Sequence, residues 1–285
     1  MRMHLMSGFP IRMGRVGMGM VAPSMPMGIR TRMMTRSIRI RGEECLLSDE
    51  LKAVGFDLAE DELRLLHLAD SALPIGSLAH SFGLESLVAR ELLSVAQLPD
   101  FLRVCLVEAG TLEAVFCREA WRIRARGEDL AEAWLSLNEK LSARKMARES
   151  RAGSASLGKN FLTIVAGFGD FAMVREALRA SRECGGMIHH SVSFGLACGV
   201  MGIAEDRSVG AYLHQSIVGL ISACQRLMPL GQSAATKILW ELKPAMVEAA
   251  ARSAKCSVED VCCFMPVLEW GAMEHPGLTT RLFIS

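Results

Sequence analysis

The sequence predicts an all-α protein folded as a single compact bundle of about eight to ten helices. Three observations lead there. From about residue 50 onward, apolar side chains recur at intervals of three and four. No run alternates apolar and polar residues as a half-buried strand would. Glycine and proline fall between the periodic runs, where helices have to stop.

The elements follow in order. Leu63, Leu66 and Ala69 share one face of a helix over about Asp61 to Asp70, which Pro74 and Gly76 then break. A second helix is expected from about Ser77. Pro99 suits a first helical turn, after which Phe101, Leu102, Cys105, Leu106, Ala109, Leu112, Val115 and Phe116 continue a stripe that ends at Gly127. Leu130, Trp134, Leu137 and Leu141 form the next stripe, and Phe161, Ile164, Val165 and Phe168 another. Gly185 and Gly186 close the helix before "MIHHSVSFGLACGVMGIA", residues 187–204. That stretch approaches a membrane span in length, but its histidines, serines and glycines, and the lack of flanking aromatic or basic belts, point to a buried central helix. Ser208 is placed to cap the next helix, which presents Leu213, Ile217, Leu220, Ile221, Cys224 and Leu227 and ends at Pro229 and Gly231. Helices near 233–242 and 244–254 follow, and Ser257 with Asp260 resembles a capping pair before "VCCFMPVLEW".

Residues 1–49 read differently. Their first 42 positions hold ten methionines and eight arginines without one acidic residue, and no period long enough to build a core, which is the pattern of a disordered segment. Its arginines fit an organelle-targeting peptide, its thioethers suit Cu(I), and a tail without a role has the same composition. The folded domain is assigned to residues 50–285.

Charge and cysteine usage narrow the function. The formal net charge is +1, but removing those eight arginines leaves 24 basic against 31 acidic residues, so the folded part is acidic and poorly suited to a nucleic-acid phosphate backbone. Nine cysteines form no CxxC pair, which fits free thiols in a reducing, cytoplasmic setting. No phosphate loop, nucleophile elbow or HExxH motif occurs. His189 and His190 are adjacent, about 100° apart on a helix, and cannot chelate one ion as an i, i+4 pair would. His67, His80 and His214 stand alone, and Glu85 has no visible partner for acid–base work. No catalytic residue and no metal ligand is assigned.

Five blocks in order resemble the urease accessory protein F (UreF) family. "LLHLADSALPIGSLAHSFGLESLV" is similar to its N-terminal signature through Asp70, Ser71, Leu73, Pro74, Gly76, Ala79, His80, Ser81, Gly83, Leu84 and Glu85. "RESRAGSASLGKNFL" matches through Arg151, Ser154 and Gly158, and "HHSVSFGLACGVMGI" through His189, His190, Phe194 and Gly195. "SACQRLMPLGQSAA" matches through Arg226, Leu227, Leu230, Gly231 and Gln232, and "HPGLTTRLFIS" through His275, Arg281, Leu282, Phe283 and Ser285. Thr279 stands where the family has an aromatic residue.

The resemblance implies a non-enzymatic scaffold for nickel insertion into urease. Its implied partners are UreD/UreH, the accessory GTPase UreG, the urease apoprotein and a second copy of itself. Nickel is then handled by the assembled complex, with no stably bound cofactor, no membrane and no nucleic acid. Two partner-binding surfaces follow. Pro74, Gly76, His80, Ser81, Gly83 and Glu85 would form a tight reversal and a helix with a low-relief face. Arg281, Leu282, Phe283 and Ser285 would form a tail offering a guanidinium fork, an apolar anchor and a carboxylate, ordered on docking. The alternative is a helical metal-binding chaperone that holds copper or nickel itself through the methionine-rich tail and His189/His190. An all-α enzyme with a scattered active site is a third possibility, weakened by the lack of a paired acid and base.

Overall fold

The computed structural model describes residues 60–125 and 129–285; the segment 1–49 and the domain boundary near residue 50 lie outside the described residues. Among the described residues all regular structure is helical. The α-helices are α1 (Glu60–Leu68), α2 (Leu84–Ala89), α3 (Leu98–Cys105), α4 (Thr111–Arg122), α5 (Leu130–Arg144) and α6 (Arg148–Ala166). They continue as α7 (Ala172–Cys184), α8 (His190–Val200), α9 (Glu205–Leu227), α10 (Gln232–Glu241), α11 (Lys243–Ser253) and α12 (Pro266–Glu274). A π-helical turn, Leu106–Gly110, joins α3 to α4 in one continuous rod, and α10 abuts α11 at Leu242.

The centre of the bundle is α8. Every residue from His190 to Gly199 is buried, as the composition of that stretch predicts, and no described helix is long and apolar enough to cross a membrane. Its contact with α4 is backbone on backbone. A Cβ added at Gly195 would lie 1.9 Å from the Cys117 carbonyl oxygen, and one at Gly199 would lie 2.7 Å from that of Trp121. Two glycines four residues apart thus form the shallow groove that lets α4 lie against α8. Gly158 does the same for α6, where a Cβ would meet the Ile188 carbonyl at 2.0 Å. Phe161, His190, Phe194 and Tyr212 fill the space between α6, α8 and α9 with rings 5.4–6.4 Å apart.

Polar ties fix the outer helices. Arg118, buried on α4, donates to Glu205 at 2.6 Å, to Asp206 at 2.7 Å and to the Ala250 carbonyl at 3.2 Å. It therefore holds the start of α9 and the end of α11 together, and its charge is paired, as a buried guanidinium must be. Trp134 Nε1 donates to Ser181 Oγ at 2.8 Å, locking α5 to α7.

Three local expectations need correction. No helix runs from Ser77: residues 77–79 make one 3-10 turn, His80 is extended, and Phe82 and Gly83 both have positive φ, so α2 begins only at Leu84. Two successive left-handed residues cannot continue a right-handed helix. Ser208 does not cap α9; it lies one turn inside the helix and its hydroxyl donates back to the Ala204 carbonyl at 2.9 Å. Ser257 and Asp260 do bond to each other, at 2.6 Å and 3.2 Å, but they close a turn, and the following helix starts at Pro266. Four described cysteines are buried, Cys184 and Cys262 are exposed, and no disulfide is formed among the described residues.

Candidate functional site

The first and last sequence blocks meet. After α1, Asp70 Oδ1 accepts from the Ala72 amide at 2.8 Å, and Asn160 on α6 donates to the Ile75 carbonyl at 3.0 Å, so the Pro74 loop is tied down at both ends. Gly76 then reverses the chain at φ +90°. At Gly83, φ is +96°, and a Cβ would lie 2.7 Å from both the Ala272 nitrogen and the Leu268 carbonyl oxygen on α12. The low-relief contact expected of Gly83 therefore exists, but it is made with α12 of the same chain.

The tail 281–285 runs alongside residues 79–82 in the same direction, Ile284 beside Ala79 and Ser285 beside Ser81 and Phe82, and turns alternate side chains inward. Phe283 and Ser285 are buried, whereas Leu282 and Ile284 are exposed, as alternation along an extended segment requires. Ile284 N donates to the Ala79 carbonyl at 2.8 Å, and Phe82 N donates to Ser285 O at 3.2 Å, with Ser81 N bonding the same oxygen. Ser285 Oγ lies 2.7 Å from His80 Nδ1. A Cβ at Gly153 on α6 would come within 2.9 Å of that hydroxyl, so only glycine leaves room for it.

Glu85 is the hub. Its side chain is buried, and it accepts from Leu282 N at 2.6 Å and Phe283 N at 3.1 Å. His275 Nε2 lies 2.8 Å from the same carboxylate, and His275 Nδ1 lies 2.7 Å from Glu149 on α6. The imidazole thus bridges the carboxylates of Glu85 and Glu149. Arg281 stands 3.6 Å from Glu149 and adds a half-exposed cation to the cluster. From the other side Arg226 on α9 donates to the Leu78 carbonyl at 2.6 Å, and its guanidinium lies 4.2 Å over the Phe283 ring.

All ten residues singled out in the sequence thus lie in one region, built from the Pro74 loop, α2 and the tail. Six of them, His80, Ser81, Gly83, Glu85, Phe283 and Ser285, face inward and bind the chain to itself. The tail is already docked, on its own chain, which corrects the expectation of a peptide ordered only by a partner. Sequence reading missed Arg226, His275, Glu149 and Gly153 as parts of this clamp. Arg226 and His275 had a signal, since both fall inside motif blocks; Glu149 and Gly153 had none without the fold. Outward, Leu78, Leu282 and Ile284 are 54%, 56% and 69% exposed and line a surface groove of about 540 Å³ together with Pro74, Gly76 and Arg226. These three side chains are the outward apolar part of the site.

The histidine pair plays another part. His189 donates its backbone amide to Asn138 Oδ1 at 2.8 Å, and its ring nitrogens lie 2.7 Å from Ser142 Oγ and 3.0 Å from Ser154 Oγ. Burial holds both His189 and His190 down to about 4, with the nearby Lys145 charge adding to the effect, so both rings are neutral at pH 7. Among the described residues no group of three or more His, Cys, Asp or Glu side chains is placed to hold a metal ion.

Comparison with known proteins gives a consistent picture. The UreF family model matches residues 92–243. A urease accessory protein UreF of Corynebacterium glutamicum (strain R) is 34% identical over 233 residues, 80% of this chain and 100% of that protein. Proteins of the same name from Haemophilus influenzae (strain PittGG) and Bacillus sp. (strain TB-90) are 30% and 25% identical, each over 78% of this chain and covering 94% and 98% of their own lengths.

Proposed function

Since this chain belongs to the UreF family, whose similar members are named urease accessory proteins, we propose that it is a scaffold for nickel insertion into urease, without a reaction of its own. It binds the UreD/UreH partner, recruits the accessory GTPase UreG to the urease apoprotein, and acts in the cytoplasm as a homodimer. Nickel is cargo of the assembled complex rather than a ligand of this chain.

The observation that carries this reading is the groove beside the tail. Arg226, Glu85 and His80 hold residues 282–285 in place, and the two side chains that the tail turns outward, Leu282 and Ile284, are large and apolar. A preordered segment loses little entropy when a partner covers it, and a buried apolar anchor is the commonest source of interface energy.

The test is gel filtration of the purified chain with the UreD/UreH partner and the GTPase, alone and together. A common complex is expected. Replacing Leu282→Asp and Ile284→Asp together should abolish it while leaving helical content and melting temperature within about 2 °C of the parent, because both side chains are exposed. Unaltered complex formation by the double variant would move the interface elsewhere, and no complex with the parent chain would end the scaffold proposal.

A further inference from the structure

Behind the clamp lies a partly open cavity of about 180 Å³ that the scaffold role leaves unused. It sits between the π-helical turn Leu106–Gly110, α6, α8 and α9, with His80 on one side. Leu106, Ala109 and Gly110 of the π-turn line this space, and π-turns inside helices are frequent at functional sites. Its walls are mainly apolar, from side chains such as Leu106, Leu157 and Leu213.

Part of the lining is polar and incompletely satisfied. His190 Nε2 and Gln215 Oε1 are both buried without a hydrogen-bond partner, and both residues line the cavity. An orphaned buried polar atom destabilises the fold unless something in the cavity completes it. Beside them Glu113 and Lys145 form an ion pair, with Tyr212 Oη 3.4 Å from the carboxylate. The pair neutralises itself, so the polar part carries no net charge to offer an ionic ligand.

From this arrangement we propose that the cavity is a binding site for a small uncharged hydroxyl compound of about one ring in size, its apolar body against the leucines and its hydroxyl between Gln215 Oε1 and His190 Nε2. A hydroxyl is the group that both donates and accepts, which suits an amide oxygen beside a neutral imidazole. The volume is adequate: an apolar protein cavity of about 150 Å³ accepts benzene. Glu113 and Lys145, paired with each other, leave no free countercharge to hold a charged analogue.

The proposal is tested on the full chain by calorimetry and thermal melting with phenol, benzene and benzoate. Phenol should bind at one site and raise the melting temperature. Benzene should bind at least about tenfold more weakly, because it leaves both polar atoms unpaired, and benzoate should not bind. Gln215→Leu should bring phenol and benzene within about threefold of each other, and Ala109→Leu, which fills the cavity from the π-turn, should abolish binding of both. Should either variant fail to fold, crystals of the parent soaked in 4-bromophenol locate the bromine directly, expected between α8 and α9. Absence of phenol binding, equal affinity for phenol and benzene in the parent, or bromine bound only outside this cavity would overturn the proposal.

Discussion

At residue scale the molecule depends on a few buried polar groups whose partners come from distant parts of the chain. Glu85 is one: its carboxylate meets His275 and the amides of Leu282 and Phe283, nearly 200 positions away. Glu85→Ala should strand a buried imidazole and two amides together, and we expect a loss of about 3 kcal/mol or more in urea unfolding. Glu85→Gln, which keeps an acceptor oxygen, should lose clearly less; equal losses would mean that the hub acts only by filling space. His189 and His190 give a second test. Burial lowers both to about 4 in the folded chain, against about 6.5 when unfolded. The unfolded chain therefore binds more protons between those values, so stability is complete above about pH 6.5 and falls as the pH drops toward 4. The two shifts together allow a loss of a few kcal/mol across that window. Unfolding midpoints measured from pH 7.5 down to 4.5 should fall, and His190→Phe should flatten the decline; a curve unchanged by that replacement would assign the acid sensitivity to other groups. In the sequence Glu85 looked like an acid without a partner, because its partners are joined by folding and not by spacing.

At the scale of elements, glycine does two opposite things. In α8 it is a contact: Gly195→Ala would place a methyl 1.9 Å from a backbone carbonyl of α4, which cannot move without the whole helix. In α9, Gly210 has nothing within 4 Å of an added Cβ and has helical φ, so Gly210→Ala should stabilise by about 0.5–1 kcal/mol. Thermal melts of the two variants should therefore diverge in sign, with Gly195→Ala losing several kcal/mol or failing to fold. If both changes are neutral, α4 and α8 are not in backbone contact. Periodicity made most helices legible, including α8 with its small residues and α5 with its Trp134, Leu137 and Leu141 stripe. It failed at Ser77–Gly83, where Leu78 and Phe82 mimic helical spacing but the backbone is set by left-handed Phe82 and Gly83 and by the tail beside them. That tertiary pairing outweighs a local propensity worth only tenths of a kcal/mol per residue.

At the scale of the whole molecule, the beginning and end of the described fold close on each other. The clamp joins α2, α6, α9 and α12 through five tail residues, so removing 281–285 should lower the melting temperature by several degrees, as the loss of buried Phe283 and of the amides bound to Glu85 requires. An unchanged melting temperature would show that the tail adds nothing to the fold. The motif blocks identified these residues as a group without revealing that most of them are inward-facing, since sequence order does not say which stretch of chain covers which. The inward-facing residues fix the geometry, and Leu282 and Ile284 are the side chains left exposed on the proposed docking surface.

The account therefore rests on the tail being set in place before any partner arrives. Hydrogen exchange at the amides of Leu282, Phe283 and Ile284 in the isolated chain measures this directly, because their acceptors are Glu85 and the Ala79 carbonyl. Protection comparable to that of α12 is predicted for all three. Exchange at free-peptide rates until the UreD/UreH partner is added would contradict it.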